Sequence, residues 1–381
     1  MSADKTSSLA RVIYESYVNE VCLDQALKQK FLGDEKVADA LPQYKIMPLF
    51  SLWKRYGNTF LLVLWAIRIA LLPLLAVAAL CNLFLAVRAL FSSKSKAVAD
   101  LPELICLPNS SHVKLFNYLF DDFAQRISFR CKRPWSMLPY LSALDYVRAV
   151  FIVWRVLATI LLHRAHRGVR RRDLIFHAVD ILPLTWFSLF VANMSRAEKA
   201  LITDCNLQRW DYIATHLSRR CSIIQHAYIH GDLEFTYSFG AVDCLYVFDQ
   251  EFEAVFSRYY EFRRSAIIRP KFNLQSVGEG RPVLFLASSA PYVQFEIDFL
   301  QRVKNNLDFF IVVKLHPRHV YEASATQLTG LADKVLDAAC FPECAYMVSY
   351  DSFLGYEYKA LGKKVVFLKD EDSVEQFMEC P

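Results

Sequence analysis

Residues 282–288 (PVLFLAS), 309–315 (FFIVVKL) and 364–368 (KVVFL) are short, almost entirely apolar runs. Runs of this length that lack polar alternation are typical of parallel strands covered by helices on both faces. Helix-length amphipathic segments lie between them, at residues 294–306 and 352–361. The order of strand, helix and strand therefore predicts a doubly wound α/β sheet in this part of the chain.

The same alternation begins earlier in the chain. Three further apolar runs are residues 200–205 (ALITDC), 221–226 (CSIIQH) and 244–249 (CLYVFD). A polar stretch with proline and glycine, RPKFNLQSVGEGR, separates the two series and marks a linker. We therefore predict two Rossmann-like domains, at residues 97–272 and 273–381, with a cleft between the carboxyl ends of their sheets, where ligands bind.

The composition excludes several classes of protein. Of the 381 residues, 54% are hydrophobic and 22% are charged, and the formal net charge is +5. A chain this apolar is not disordered, and charges in almost every segment exclude a many-pass membrane protein. The mild positive charge gives no reason to expect a nucleic-acid partner. The ten cysteines are scattered without a CxxC pair, which is typical of buried thiols in a reducing cytosol.

One long apolar run, residues 60–91, predicts that the chain associates with a membrane. We assign residues 59–96 to this segment and residues 1–58 to an N-terminal helical region. Basic residues flank the run on both sides, so the positive-inside rule gives no orientation. Three forms stay open: a hairpin broken at Pro73 or an in-plane helix in one leaflet, a single span, and a buried core helix.

A second apolar stretch, residues 146–163, is interpreted as a long helix with a basic stripe and leads into an arginine cluster at residues 164–172. The cluster is either a solvated turn or a patch that meets anionic headgroups or a phosphate-bearing acceptor.

Cations are predicted at the end of one strand of the second domain. The run KLHPR brings Lys314, His316 and Arg318 to the carboxyl edge of the sheet, and its proline fixes the turn. Cations that face a cleft suit a phosphate or diphosphate leaving group. The alternative is a basic strand end that pairs with local carboxylates. His226 ends a strand of the first domain in the same way.

Hydroxyl groups follow two strands of the second domain. Ser349 and Ser352 precede a predicted helix, where hydroxyls and backbone N–H groups bind phosphate, although Ser352 also suits an ordinary N-cap. Glu357, further along that helix, is placed to accept a hydrogen bond from a ribose hydroxyl. Ser288 and Ser289 form a second hydroxyl pair that opens onto the same edge. The acidic run at residues 370–372 is interpreted as a solvated surface, and we predict no metal site.

Three motifs together resemble a known family. IQHAYIHGD at residues 224–232, KLHPR at 314–318 and SYDSFLGYEYKALGKKVVFL at 349–368 are similar to glycosyltransferases of the GT-B fold. The nearest resemblance is to bacterial surface-polysaccharide enzymes with cytidine-activated donors, among them sialyltransferases with an HP motif and CDP-glycerol glycerophosphotransferases. The resemblance covers about residues 200–370.

The resemblance implies roles for individual residues. His316 would contact the donor phosphate, Ser349 and Ser352 would hold the same phosphate, and Glu357 would hold the ribose. The general base would come from the first domain, and it is either His226 or Asp232, because the family uses a histidine in one subgroup and an aspartate in the other.

The resulting expectation is a membrane-associated inverting glycosyltransferase of capsule, lipopolysaccharide or related polysaccharide biosynthesis. It would transfer a sugar from a nucleotide-activated donor, CMP- or CDP-linked, to a glycan or lipid-linked acceptor, without a resident cofactor or metal. We expect it at the cytoplasmic face of the inner (plasma) membrane. The alternatives are a polyol-phosphate transferase of the CDP-glycerol kind and a non-catalytic subunit of a polysaccharide synthesis complex.

Overall fold

A computed structural model gives the fold of most of the chain. The residues that it describes are 3–32, 46–91, 96–108, 113–123, 126–131, 133–164, 168–205, 207–226, 229, 237–289, 292–315, 323–337, 339–350, 352–368 and 370–379. The chain divides into two compact units. The first consists of Met1–Phe116, Phe120–Tyr246 and Glu253–Ala266, and the second of Asn117–Leu119, Val247–Phe252 and Ile267–Pro381. The domain boundary predicted between residues 272 and 273 stays a prediction.

The first unit contains a five-stranded sheet. Its strands are β1 (Leu104–Leu107), β2 (Ala200–Cys205), β3 (Cys221–Gln225), β4 (Ala241–Val247) and β5 (Glu261–Ile267), in that spatial order. Strands β1 to β4 are parallel. The Glu261 N–H donates to the Gly240 carbonyl, and the Ile268 N–H donates to the Val247 carbonyl. Residue numbers therefore increase in the same direction in β4 and β5, so β5 is parallel as well. Each strand pairs with the one before it along the chain, so the strand order of this sheet does not reverse.

Helices make up most of the first unit. They are α1 (Ala3–Leu32), α2 (Ile46–Phe91), α3 (Val113–Leu119), α4 (Ala143–Leu161), α5 (Arg171–His177), α6 (Ile181–Arg196), α7 (Arg209–Leu217) and α8 (Glu251–Phe256). The end of α3 and the start of α8 belong to the second unit. Side chains from α1, α2, α4, α6 and α7 form one hydrophobic core with β1 and β2. The helix predicted at 146–163 is α4, which starts at a capping box between Ser142 and Asp145.

The apolar run at residues 60–91 is part of one continuous helix, α2. The helix passes through Pro73, so the predicted hairpin broken at this proline is wrong. Small residues, Ala79 and Ala86, are buried in the core of the first unit, and Asn82 accepts a hydrogen bond from the Trp186 indole at 2.8 Å. One face of α2 is therefore part of the folded unit, while Leu74, Phe84 and other large side chains on its remaining surface are exposed.

Two stretches are long and apolar enough to cross a membrane, judged by length and composition alone. They are Ile69–Phe91, of which 17% is buried, and Arg171–Arg196, of which 78% is buried. The second stretch forms α5 and α6 in the core of the first unit. The first forms the later turns of α2, where most side chains are exposed and Ala79, Asn82 and Ala86 are buried.

The second unit contains a five-stranded parallel sheet of Rossmann-like order. Its strands are β6 (Val283–Ala287), β7 (Phe310–Lys314), β8 (Lys334–Val335), β9 (Tyr346–Ser349) and β10 (Val365–Phe367), and the spatial order is β10-β9-β6-β7-β8. Its helices are α9 (Val293–Asn306), α10 (Ala323–Leu331), α11 (Phe353–Ala360) and α12 (Glu371–Glu379). Two hydrophobic clusters involve the sheet, one with α9 and α12 and the other with Tyr358 of α11. The predicted α/β class with two parallel sheets is confirmed.

Candidate functional site

The strand order of the second sheet reverses at β6. The chain proceeds from β6 to β7 and β8 on one side and then crosses to β9 and β10 on the other. Ligands of open α/β sheets bind at the carboxyl ends of the strands next to such a reversal. Leu286 pairs with Val348 in the parallel register, so the residues that follow β6 and β9 emerge side by side. The structure thus brings the predicted Ser288–Ser289 and Ser349–Ser352 pairs to one edge.

Glu296 of α9 forms hydrogen bonds to the two residues that follow β6. Its carboxyl group accepts a hydrogen bond from the Ser288 hydroxyl at 2.6 Å and another from the Ser289 backbone N–H at 2.7 Å. The side chain is fully buried (0% exposed), and burial raises its pKa to about 7, although both hydrogen bonds oppose the shift. Ser288 is therefore a buried residue whose hydroxyl has an internal partner.

Ser349 and Ser352 have different roles at the start of α11. Ser349 is fully buried, and its hydroxyl oxygen accepts a hydrogen bond from the Ser352 backbone N–H at 2.8 Å. Ser352 is the N-cap residue, but its side chain makes no capping hydrogen bond. The N–H groups in the first turn of a helix have no partner within it. The Ser352 hydroxyl and this first turn of α11 are therefore the polar groups of the edge that suit an anion.

Two tyrosines flank this edge. Tyr350 follows β9 directly, and Tyr292 is the N-cap residue of α9. Their rings stack with centroids 5.6 Å apart and planes 14° apart. Burial, together with nearby carboxylates that include Glu296, raises the pKa of Tyr350 to about 12. The pair adds an aromatic surface next to the reversal of the strand order.

Lys314 and Glu357 lie in the second unit and have internal partners. The Lys314 ammonium donates a hydrogen bond to the Cys340 carbonyl at 2.7 Å and lies 4.0 Å from the centroid of the Phe341 ring. Glu357 is buried and accepts a hydrogen bond from the Tyr118 hydroxyl at 3.0 Å. Burial, and then the Glu357 charge, raises the pKa of Tyr118.

Three predicted site residues, Asp232, His316 and Arg318, lie outside the residues that the structure describes. Their proposed roles stay predictions.

A histidine–aspartate pair lies at the carboxyl edge of the first sheet. His226 follows β3, and its Nδ1 is 2.9 Å from a carboxylate oxygen of Asp204 in β2. Asp204 is fully buried, and the His226 side chain is 10% exposed. In the tautomer that carries its proton on Nδ1, the imidazole donates to Asp204 and Nε2 is the basic nitrogen. This arrangement orients an imidazole for proton transfer.

Sequence reasoning missed Asp204, Glu296 and Tyr350. Asp204 and Glu296 each had a detectable signal, because a carboxylate in an apolar strand or on the apolar side of a helix needs a buried partner. Tyr350 had a weaker signal, which was an aromatic residue directly after a predicted strand.

A large apolar surface on the first unit is a second candidate site. Helix α4 exposes Leu144, Phe151 and Trp154, with the phenylalanine 65% and the tryptophan 51% exposed. Their spacing of seven and three residues places them on one face of the helix. One face of α2 joins α4 and α6 in the common core, and large side chains elsewhere on the helix, such as Leu74 and Phe84, are exposed. Clusters of exposed apolar side chains are typical of surfaces that bind another protein or a membrane.

The two units thus contain a histidine–aspartate pair, a strand-order reversal with serine hydroxyls, and an exposed apolar face. The described residues contain no group of three or more His, Cys, Asp or Glu side chains that could hold a metal ion. Comparison of the chain with protein-family models, with curated proteins and with solved structures found no match.

Proposed function

We propose that the protein is a metal-independent inverting glycosyltransferase that uses a nucleotide-activated, cytidine-linked donor. The observation that carries this proposal is the reversal of strand order at β6, which brings the Ser288–Ser289 and Ser349–Ser352 segments to one edge. The nucleotide binds there. The Ser352 hydroxyl and the N–H groups at the start of α11 bind its phosphate. The Tyr350 ring contacts the nucleobase or the ribose.

His226 is the proposed general base. Asp204 orients the imidazole, and Nε2 takes the proton from an acceptor hydroxyl as its oxygen attacks the anomeric carbon. The bond from that carbon to the donor phosphate breaks, and the nucleotide leaves with the electron pair and with inversion at the carbon. Developing negative charge on the phosphate is stabilised by the first turn of α11, and by His316 and Arg318 in the roles that the family resemblance implies.

Ser352→Ala tests the nucleotide site. The fold should be retained, because the side chain makes no capping bond. Loss of one hydrogen bond to a charged phosphate should weaken binding of CMP or CDP by about tenfold, measured by calorimetry. Thr326→Ala removes an exposed hydroxyl from α10 of the same unit and is the matched control. Equal affinities of Ser352→Ala and the control for every nucleotide would contradict the site.

His226→Ala and Asp204→Asn test the base. Both should leave nucleotide affinity near the wild-type value and lower kcat by about two to four orders of magnitude. Asp232→Asn is the rival variant, because the aspartate is the base of the other subgroup. A large loss of kcat in Asp232→Asn together with full activity in His226→Ala would identify Asp232, and not His226, as the general base. Release of CMP from a CMP-sugar, rather than from a CDP-polyol, distinguishes the sugar transferase from the polyol-phosphate transferase.

We propose the GT-B arrangement for the two units, in which the carboxyl edges of both sheets face a common cleft. Binding of a donor should then protect backbone amides near His226 as well as near Ser352 from hydrogen exchange. Protection confined to the second unit would contradict this arrangement.

We also propose that the exposed apolar face of α2 and α4 binds a membrane, at the cytoplasmic face of the inner membrane, where the acceptor is lipid-linked or a growing glycan. Phe151→Glu places a charge on an exposed position of this face and should reduce sedimentation with lipid vesicles strongly. Phe295→Glu changes an equally exposed phenylalanine of the second unit and is the control. Equal sedimentation of the two variants would contradict the membrane face.

A further inference from the structure

A cavity of about 530 Å³ lies in the first unit where α4 begins. Its walls come from the segment after α2, from the first turns of α4 and from the end of α6. The side chains that matter for a ligand are Lys96, Leu144, Asp145, Arg148, Asn193 and Arg196. None of these residues belongs to the nucleotide edge or to the histidine–aspartate pair.

The cavity has an excess of positive charge. Asp145 is its one acidic lining residue, and although burial opposes ionisation, hydrogen bonds from Asn193 and Ser142 hold the pKa of Asp145 below its usual value. The Arg148 guanidinium forms an ion pair with an Asp145 carboxylate oxygen at 2.9 Å. Lys96 and Arg196 are exposed, and neither forms an ion pair within the part of the chain that the structure describes. The Arg196 guanidinium donates hydrogen bonds to the Asn193 side chain and the Ala192 carbonyl, and the Lys96 ammonium lies 5.7 Å from the centroid of the Tyr140 ring. Neither charge is therefore neutralised by a carboxylate among the described residues, and both can attract an anion.

The cavity adjoins the apolar face of α4. Leu144 lines it, is exposed, and begins the row that continues with Phe151 and Trp154. A ligand with an anionic group in the cavity would therefore have its apolar part beside this row. A soluble anion such as free phosphate has no such part, whereas an anionic phospholipid has both.

The ends of α4 indicate how the helix lies on a membrane. The helix has 19 residues and is therefore about 28 Å long. The cavity cations are at its start and the exposed Arg164 follows its end, whereas Arg170 and Arg172 pair with Asp173. Basic groups at both ends, with an apolar row between them, are typical of a helix in the interfacial plane.

We propose that this cavity binds the phosphate of an anionic membrane phospholipid, with Lys96 and Arg196 as its ligands and the acyl chains along the apolar row of α4. The inference rests on the proposed membrane association of the protein. It adds a specific lipid-headgroup site to that association.

The test is binding of the full-length chain to phosphatidylcholine vesicles with and without phosphatidylglycerol. Lys96→Gln combined with Arg196→Gln should weaken binding to the anionic vesicles by about tenfold and leave binding to the neutral vesicles unchanged. The control combines Arg263→Gln with Lys334→Gln, which removes the same charge from exposed positions outside the cavity and should cost less than about threefold. Inorganic phosphate at constant ionic strength is the competitor.

Equal losses in the cavity variant and the control would overturn the proposal, since charge alone would then explain binding. Displacement by inorganic phosphate would overturn the lipid as occupant and assign the cavity to a soluble anion. Failure of the wild-type protein to bind either kind of vesicle would refute the membrane association itself. Binding to both kinds with equal affinity would refute only the headgroup site.

Discussion

Glu296 makes the stability of the second unit depend on pH. The folded state holds its carboxyl group with a pKa of about 7, and the ordinary value is 4.5. Because the folded value is the higher one, stabilisation by the protonated form is complete below about pH 4.5 and is lost as the pH rises through about 7. The two values differ by about 2.5 pH units, which corresponds to about 3 kcal/mol in the free energy of unfolding.

Glu296→Gln isolates this contribution. A glutamine keeps both contacts, because its oxygen accepts from the Ser289 N–H and its amide donates to the Ser288 hydroxyl oxygen. The variant should match the wild type near pH 4.5 and exceed it by up to about 3 kcal/mol above pH 8. Glu375→Gln, at an exposed position of α12, is the control and should follow the wild-type curve.

Amide hydrogen exchange in peptides from β6 and β9 measures this difference within the second unit, which contains none of the tryptophans. The full-length chain is used in detergent, over a range from about pH 5 to pH 8.5. A constant difference between the variant and the wild type at every pH would refute the reasoning, because a lost packing contact changes stability without titrating.

Three further substitutions test individual contacts inside the two units. Gly355→Ala should destabilise the second unit by about 1–3 kcal/mol in denaturant unfolding, because its Cβ would lie 2.7 Å from the Phe367 ring, and an unchanged midpoint would contradict this close approach. Tyr118→Phe should cost about 1–3 kcal/mol, since the buried Glu357 carboxylate loses its hydroxyl donor, and a neutral effect would show that the bond contributes nothing. Ala79→Leu should lower the Tm of the first unit, because α2 packs there through a small residue, whereas Ala70→Leu, at an exposed position of the same helix, should leave it unchanged.

The strands of the second unit were predictable because burial on both faces removes polar residues from them. β6 and β7 are such runs, and the structure forms them within one residue of each predicted boundary. β5 was not predictable, because EFRRSAI has the charged composition of a surface segment and lies at the edge of its sheet. β1 was missed because four apolar residues among many give no distinct period, and its partner β2 begins over ninety residues later.

The form of the apolar run was predictable only in part. Contact with lipid was predicted from composition and stays a prediction. Composition could not show that Ala79, Asn82 and Ala86 lie on one face of α2 and are buried in the first unit. Proline at position 73 suggested a break, because a proline removes one helical hydrogen bond. The helix nevertheless continues through Pro73. Its later turns are held in place because Ala79 and Ala86 pack in the core of the first unit.

For the polar residues at the strand ends, the sequence predicted their position but not whether their side chains already have hydrogen-bond partners inside the unit. Position at a carboxyl edge was predicted for Ser288, Lys314 and Ser349, but each has a partner inside the unit: Glu296, the Cys340 carbonyl and the Ser352 N–H. A group already satisfied in this way contributes less to binding, because a ligand must replace the internal bond. Ser352 differs, since its hydroxyl makes no capping bond and stands at the start of α11. Loss of the Ser352 hydroxyl should therefore lower affinity for a phosphate without disturbing the fold.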